Sequence, residues 1–537
     1  MSEKILVRGV NWIGDAVMTM PALRALRKAY RGAHISLLVK PSVSAIFQRD
    51  PLVDEVVEYE EKFEGVIGKL RLAHKLRKKG FSRAILFQNA FDAALVTFLA
   101  GIPERAGYER DGRRFLLTRP VPFNGEDRRV HHIEYYLNLL RAAGIQAERS
   151  QPWIYLSLEE RLAARSSLLN LRRPLLGINP GAAYGSAKRW LPERFVEVAD
   201  WFIRDTGGSV VIFGGKSETG IAEEIHKGVR FRSADPLVST RQNILPDKGE
   251  MSLGASASTR GYEDIDNSLK NLCGRTSLRE LVSLISECDV FLTNDSGPMH
   301  IAYAVGTPLA ALFGSTDPGL TGPPGTGDIA FRHDFECSPC FERSCPTNDL
   351  RCMYAITSDE VYLAIKRLLP GRPAVFFDRD GTLCEDVDYL RKWEDFRPLP
   401  GVESLAELRR KGYGLMGVTN QSGIARGIVE DSFVKEVNRM FVEKYGFEDF
   451  SYCPHLPEEH CPCRKPEPGM LHELRFRHGI DFKKSYVVGD KGIDMELAKA
   501  VGAKGILVRS GKEKESAYAD FVVDDLREAV GLVEDRG

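Results

Sequence analysis

The chain has 537 residues, of which 28% are charged and 43% hydrophobic, and a formal net charge of −1 at pH 7. That length exceeds what one hydrophobic core fills, so about three or four domains are expected, and the balanced charge gives no support for a nucleic-acid partner. No apolar run approaches the roughly 20 residues that cross a bilayer, and the opening MSEKILVRGV lacks an apolar signal core, so a cytoplasmic setting with reduced thiols is expected.

In chain order, KILVRGV (4–10) is an apolar run of strand length, NWIGD follows, and MTMPALRALRKAY has helical spacing. HISLLVK (34–40) and SRAILFQN (82–89) read as further strands. Strands alternating with helices predict a parallel sheet. The pattern restarts at PLLGINPGA (174–182) and continues through SVVIFGGK (209–216), DVFLTND (289–295) and PLAALFG (308–314). Two successive doubly wound halves are expected, connected near 150–172. Residues 230–268 interrupt the second half with a polar, Ser-rich, aperiodic stretch, expected to be a disordered surface insertion. SDEVYLAIKRLLPGRP (358–373) reads as a helix stopped by Pro-Gly. A new unit opens at AVFFDRDGT (374–382) and continues through GLMGVTNQSG (414–423) and KSYVVGDKG (484–492), so a boundary is expected near 371.

In the first half, Asp15 falls just after the first strand, where an aspartate serves either as a helix N-cap or as a base. NPGAAYGSAKRW (179–190) is either a plain tight turn or a cradle that brings backbone N–H groups to phosphate, with Lys188 as a diphosphate partner. NDSGPMH (294–300) sets Asp295, Ser296, Gly297 and His300 at a helix start, where His300 alone also reads as a packed or capping histidine. With FGSTDPGLTGP, these motifs resemble the heptosyltransferases of lipopolysaccharide inner-core synthesis, closest to type II, over about residues 4–369. The resemblance implies a GT-B fold of two Rossmann-like domains, 1–172 for the acceptor and 173–370 for ADP-heptose. It implies inverting transfer from ADP-L-glycero-β-D-manno-heptose to a heptose on the lipid A core. Asp15 would be the base, Lys188 would offset diphosphate charge, and the 295–300 loop would bind nucleotide phosphates. A lipid acceptor further implies peripheral contact with the inner face of the inner membrane, with which the basic stretches RKAYR and KLRKKG (75–80) are compatible. The run CSPCFERSCPTNDLRC spaces Cys337, Cys340, Cys345 and Cys352 by two, four and six residues, which suits either a metal or structural thiols, and no role is assigned.

In the second half, FFDRDGT ends a strand with Asp378 and Asp380 one residue apart, so both project to one side. That suits a carboxylate nucleophile beside a carboxylic acid/base. Thr419 offers a hydroxyl, Lys465 a fixed positive charge, and Asp490 a hard oxygen ligand for Mg²⁺. In this order the motifs resemble the haloacid dehalogenase (HAD) superfamily over nearly all of 374–531, and within it the D-glycero-D-manno-heptose 1,7-bisphosphate 7-phosphatases. Histidinol-phosphate phosphatases share much of the pattern. The resemblance implies a HAD-like α/β domain over 371–537 that forms an aspartyl-phosphate on Asp378, with Asp380 as general acid/base. Asp378, the Asp380 main-chain carbonyl and Asp490 would hold Mg²⁺. Thr419 and Lys465 would steady the phosphoryl group, with Asn420, Gln421, Ser422 and Lys491 also on substrate. Arg464 would meet the rest of the bisphosphate, and Asp386 and Tyr389 fall in the substrate-loop position. The alternatives are another phosphomonoester substrate, or one half acting only as a scaffold.

Finally, YCPHLPEEHCPCRKPEPGM (452–470) packs Cys453, His455, Cys461 and Cys463 into eleven residues. Three sulfurs and one imidazole make a closed tetrahedron with no position for a reacting water, so a structural Zn²⁺ that pins the start of Arg464–Lys465 is expected. His460 is a rival ligand, although the phosphatase resemblance favours His455. Redox thiols are the weaker alternative in a reducing compartment.

Overall fold

The computed structural model describes residues 3–234, 268–325 and 327–534. Its strands form three six-stranded sheets in which every pairing is parallel. The first holds β1 (Lys4–Arg8), β2 (His34–Val39), β3 (Glu55–Glu58), β4 (Arg83–Leu86), β5 (Glu104–Tyr108) and β6 (Arg119–Val121), in the order β3-β2-β1-β4-β5-β6. The second holds β7 (Leu175–Asn179), β8 (Ser209–Ile212), β9 (Leu269–Asn271), β10 (Val290–Asn294), β11 (Leu309–Leu312) and β12 (Ile329–Phe331), in the order β12-β11-β10-β7-β8-β9. The third holds β13 (Ala374–Phe377), β14 (Gly414–Asn420), β15 (Asp449–Cys453), β16 (Tyr486–Gly489), β17 (Lys504–Val508) and β18 (Phe521–Val523), in the order β15-β14-β13-β16-β17-β18.

The central strands LLGIN, VFLTN and AVFF are buried along their whole length. Helices cover both faces of a parallel sheet, so its inner strands carry continuous rather than alternating apolar residues. The strand order reverses at β1/β4, β7/β10 and β13/β16. Crevices for ligands open at the carboxyl ends of strands at such switch points.

The helix Thr219–Ala234 runs past the start of the expected insertion, so residues 230–234 are helical rather than loop. The rest of that expectation, 235–267, lies outside the described residues. The helix Ser358–Leu368 starts on a Thr357/Glu360 capping box and packs Val361, Tyr362 and Ile365 into the second lobe before the third sheet begins.

The first two lobes share one apolar cluster that runs from Ile5 to Phe313. The third sheet's unit docks on them through buried charge. Glu287 accepts from Arg165 (2.8 Å) and lies 3.4 Å from Arg173 and 3.1 Å from Lys483. Arg475 donates to the Asp289 carbonyl (3.1 Å). The His472 ring packs edge-on against Trp153 and Phe482. Among the described residues no helix is long and apolar enough to cross a membrane.

Candidate active sites

Between the first two lobes lies a cavity of about 730 Å³ whose walls include Asp15, His132, Lys188, Asp295, Ser296 and His300. Asp15 is the third residue of the helix Ile13–Met18, whose N-cap is Trp12. It is therefore not the cap, and its carboxylate is half-buried and 3.5 Å from His132 Nδ1. Lys188 Nζ lies 2.6 Å from Asp295 Oδ2, which also accepts from the Thr316 hydroxyl at 2.6 Å. Ser296 Oγ accepts from Asn179 Nδ2 (3.1 Å) at the head of the helix Gly297–Ala304. A Cβ on Gly297 would come within 3.1 Å of Ile13, so the lobes approach closely there.

His300 is buried, and its Nδ1 sits 2.8 Å from the Tyr303 hydroxyl. Burial lowers its pKa to about 4, against the pull of Asp295 and Asp15, so the ring is neutral at pH 7. It packs against Gly14, where an added Cβ would meet the ring at 2.6 Å. The four cysteines Cys337, Cys340, Cys345 and Cys352 surround a small pocket with Ala187, but no three of their sulfurs gather within 4.8 Å of one another. Their segment instead buttresses the Lys188 loop. The Arg343 carbonyl accepts from Ala187 N (3.1 Å), and the Phe341 carbonyl accepts from the Tyr184 hydroxyl (2.8 Å).

The third sheet gathers a second site at adjacent strand ends. Asp378 follows β13, Thr419 lies near the end of β14, and Asp490 follows β16. Lys465 Nζ reaches in from the loop after β15 to Asp378 Oδ1 (2.6 Å), Asp494 Oδ1 (2.6 Å) and the Val418 carbonyl (3.1 Å). Burial raises Asp378 to about 6, against the pull of Lys465; burial, with Asp378 adding, raises Asp490 likewise to about 6. The chain turns between Asp380 and Asp490 on Gly381, at φ +96°, where a Cβ would lie 2.4 Å from Asp490 Oδ2; only glycine fits that turn.

Asp380 faces a different set of partners. Arg379, buried, grips both its oxygens at 3.0 Å, and Gln421 Nε2 (2.6 Å) and the Thr419 hydroxyl (3.3 Å) donate to Oδ2. Asn420 is occupied by protein. Its Oδ1 accepts from Lys465 N (3.1 Å) and its Nδ2 donates to the Lys465 carbonyl (3.3 Å). Asp386 pairs with Lys491 (3.1 Å) and Lys512 (3.0 Å). Tyr389 packs on Gly423, and Ser422 is partly buried nearby in sequence. Arg464 Nη1 donates to the His455 carbonyl (3.3 Å).

Two groups of side chains have the make-up of metal sites. Carboxylate oxygens of Asp378, Asp490 and Asp494 lie within 4.8 Å of one another. The Asp380 carboxylate is not in that group, because Arg379, Gln421 and Thr419 hold it. Asp490 Oδ1 is buried and accepts no hydrogen bond. Three buried carboxylates against one internal lysine leave negative charge that fits a divalent cation. The second group is Cys453, His455, Cys461 and Cys463. His455 Nδ1 lies 3.5 Å from Cys453 Sγ and 3.4 Å from Cys463 Sγ. A tetrahedral zinc at usual bond lengths gives an S···N edge of about 3.6 Å. His460 stays outside this group, with its carbonyl taken by the Tyr155 hydroxyl.

The model of glycosyltransferase family 9 (heptosyltransferase) matches residues 69–246 and 243–350, and a HAD-hydrolase-like model matches 462–529. Lipopolysaccharide heptosyltransferase 2 of Escherichia coli K12 is 32% identical over 330 residues, covering 60% of this chain and 85% of that protein. D-glycero-beta-D-manno-heptose-1,7-bisphosphate 7-phosphatase of Vibrio cholerae is 43% identical over 175 residues, covering 29% of this chain and 94% of that one. The chain belongs to glycosyltransferase family 9, fused to a HAD-type phosphatase.

The solved structure of E. coli ADP-heptose LPS heptosyltransferase II superposes on this family 9 enzyme with a TM-score of 0.54 at 28% identity, covering 68% of this chain and 98% of that one. The paired sheets are thus those of a GT-B glycosyltransferase, and the HAD unit implies a divalent metal. Sequence reasoning missed four side chains of the bifunctional enzyme's two sites: His132, Arg379, Asp494 and Lys512. Asp494 had a signal: it is the first-turn acid of the helix Gly492–Val501 and accepts from Lys491 N (3.3 Å), the N-terminal position where acids are favoured.

Proposed function

We propose that the family 9 half transfers heptose from ADP-L-glycero-β-D-manno-heptose to the heptosyl-lipid A core, and that the HAD half removes the 7-phosphate of D-glycero-D-manno-heptose 1,7-bisphosphate. The observation that carries the second reading is the convergence of Asp378, Lys465, Asp490 and Asp494 in a domain that aligns with nearly the whole of a bisphosphate 7-phosphatase.

In the HAD half, the Asp378 carboxylate attacks the 7-phosphorus while the bond to the sugar oxygen breaks, and Asp380 gives that oxygen its proton. Asp380 then takes a proton from water as the water attacks the aspartyl-phosphate, which returns Asp378 and releases phosphate. Lys465, Thr419 and Gln421 supply donors for the transferring group. Mg²⁺ held by Asp378, Asp490 and the Asp380 carbonyl supplies further charge neutralisation when bound. Arg464, Asp386, Tyr389, Ser422 and Lys491 contact the rest of the substrate, while Asn420 positions Lys465. Zn²⁺ held by Cys453, His455, Cys461 and Cys463 is structural.

In the family 9 half, Asp15 takes the proton of the acceptor hydroxyl, with His132 beside it. Lys188 turns from Asp295 to the donor diphosphate, next to Ser296 and Gly297, and His300 supports the lobe contact from its neutral, packed state. The lipid acceptor is reached by peripheral contact with the inner membrane's cytoplasmic face. The helix Gly65–Lys79 supports that contact: Val66, Ile67 and Leu70 are 78%, 67% and 50% exposed, beside exposed Arg71, Lys75, Arg77 and Lys78.

The test compares turnover of heptose 1,7-bisphosphate with that of histidinol phosphate, and assays ADP-heptose transfer by the mass gain of the acceptor. Faster hydrolysis of histidinol phosphate, or no mass gain, rejects the corresponding half.

A further inference from the structure

The loop that carries Arg464 and Lys465 touches both halves of the molecule. On the phosphatase side, the Cys/His group draws residues 453–463 together, and Asn420 brackets the Lys465 peptide. On the other side, three transferase residues reach across. The Tyr155 hydroxyl donates to the His460 carbonyl, Trp153 Nε1 donates to Glu467 Oε2 (3.2 Å), and Arg31 pairs with Glu459 (3.2 Å). Trp153 is buried, and its ring also packs on His472 of the phosphatase, so its N–H direction is fixed by packing. Glu467 lies two residues beyond Lys465.

Between these contacts the loop is not packed against the transferase. A cavity of about 460 Å³ lies among Tyr155, Ser157, His460, Arg464 and Glu467, and another of about 630 Å³ lies among Arg24, Arg31, His455 and Glu459. Where side chains do not fill the space, directed hydrogen bonds rather than packing set a segment's position.

We propose that Trp153 and Tyr155, both in the transferase half, are positioning residues for the phosphatase, and that they hold the Arg464–Lys465 segment in register with Asp378. This rests on the phosphatase reading above. The phosphatase in this chain is therefore not an independent module on a tether, since part of the support of its phosphate-binding lysine comes from the other enzyme. The register matters because Lys465 Nζ must meet Asp378 at 2.6 Å, and catalytic geometry tolerates errors of only about 0.5 Å.

The experiment uses the full chain with Tyr155→Phe, which keeps the ring and removes only the hydroxyl, and Trp153→Phe, which removes the N–H and leaves a smaller ring, singly and together. Two hydrogen bonds lost, one of them to the Glu467 carboxyl group, correspond to at least about tenfold. The double variant is expected to show a phosphatase kcat lowered about tenfold on heptose bisphosphate, with amides of 455–467 exchanging at least several-fold faster. Zinc content and heptosyl transfer stay at wild-type levels, and the fall in kcat persists well below the variants' thermal midpoints. Unchanged kcat with unchanged exchange overturns the proposal, as does a loss of kcat that merely tracks a lower thermal midpoint. If the wild-type chain fails to hydrolyse the bisphosphate, the substrate reading fails, while the exchange result alone still decides the clamp.

Discussion

Lys465 Nζ stands 2.6 Å from Asp378 and 2.6 Å from Asp494, with its side chain 2% exposed. One cation thus holds two buried carboxylates, and a phosphoryl group arriving at Asp378 meets a charge already in position. Lys465→Met should lower phosphatase kcat by about 10²–10³, the usual effect of removing one preorganised donor. It should also destabilise the folded protein by about 3 kcal/mol, because the two carboxylates are left buried without their partner. Steady-state turnover and urea unfolding read the two effects separately; a variant as active as wild type contradicts the role.

Emptying the proposed zinc site should act on the phosphatase alone. Cys463→Ser, or chelation, frees the residue immediately before Arg464 and Lys465, so bisphosphate turnover should fall at least about tenfold, the scale on which metal-site support acts. ADP-heptose transfer should be unaffected. Metal analysis beside both assays checks this, and full phosphatase activity in zinc-free protein contradicts it.

Asp15 does not cap its helix, and its carboxylate lies 3.5 Å from His132 Nδ1. Asp15→Ala should reduce heptosyl transfer by about 10²–10⁴ as expected for loss of a general base, while bisphosphate hydrolysis continues. His132→Gln should reduce transfer more mildly, through the orientation of Asp15. Transfer rates at saturating donor decide both.

The folded protein should lose stability in acid at Glu287, whose partner Lys483 lies across the junction of the two halves. Burial raises the pKa of Glu287, but Lys483, Arg165 and Arg173 outweigh it and hold the carboxyl at about 2. A folded-state pKa below the unfolded value stabilises the folded protein above the unfolded value, about 4.5, and this contribution is lost as pH falls from there towards about 2. It is on the order of 3 kcal/mol. Thermal unfolding from pH 6 to 3 should show the wild-type midpoint falling below pH 4.5, and a lower, flatter profile for Glu287→Gln. Parallel profiles contradict the assignment.

Anionic vesicles test the membrane face. Val66→Asp together with Leu70→Asp should abolish sedimentation with vesicles rich in anionic lipid, and raising the salt should weaken wild-type binding. Soluble-acceptor transfer should be unchanged. Equal sedimentation of variant and wild type contradicts this face.

Strands such as LLGIN, VFLTN and AVFF were legible because parallel strands buried on both faces leave continuous apolar runs. Asp378, Thr419 and Asp490 were legible because each lies at or next to the end of a strand, while Lys465, in the loop after β15, was placed by the order of motifs that resembles the HAD superfamily. Asn420, in the same motif, turns to the Lys465 peptide rather than to open space, a choice of rotamer that spacing does not encode. The helix to Ala234 was hidden by the polar composition of the stretch after it. The docking of the halves left no local trace. Glu287 meets Lys483 from 196 residues away, and Trp153 meets Glu467 from 314. Amphipathic patterning says which face is buried, not which distant surface covers it.

Two separate active sites on one chain are tested by purified full-length Asp378→Asn, assayed for both reactions on the same preparation. Bisphosphate hydrolysis should be lost while heptosyl transfer proceeds at the wild-type rate. Loss of both activities in a folded protein, or retention of both, would contradict that separation.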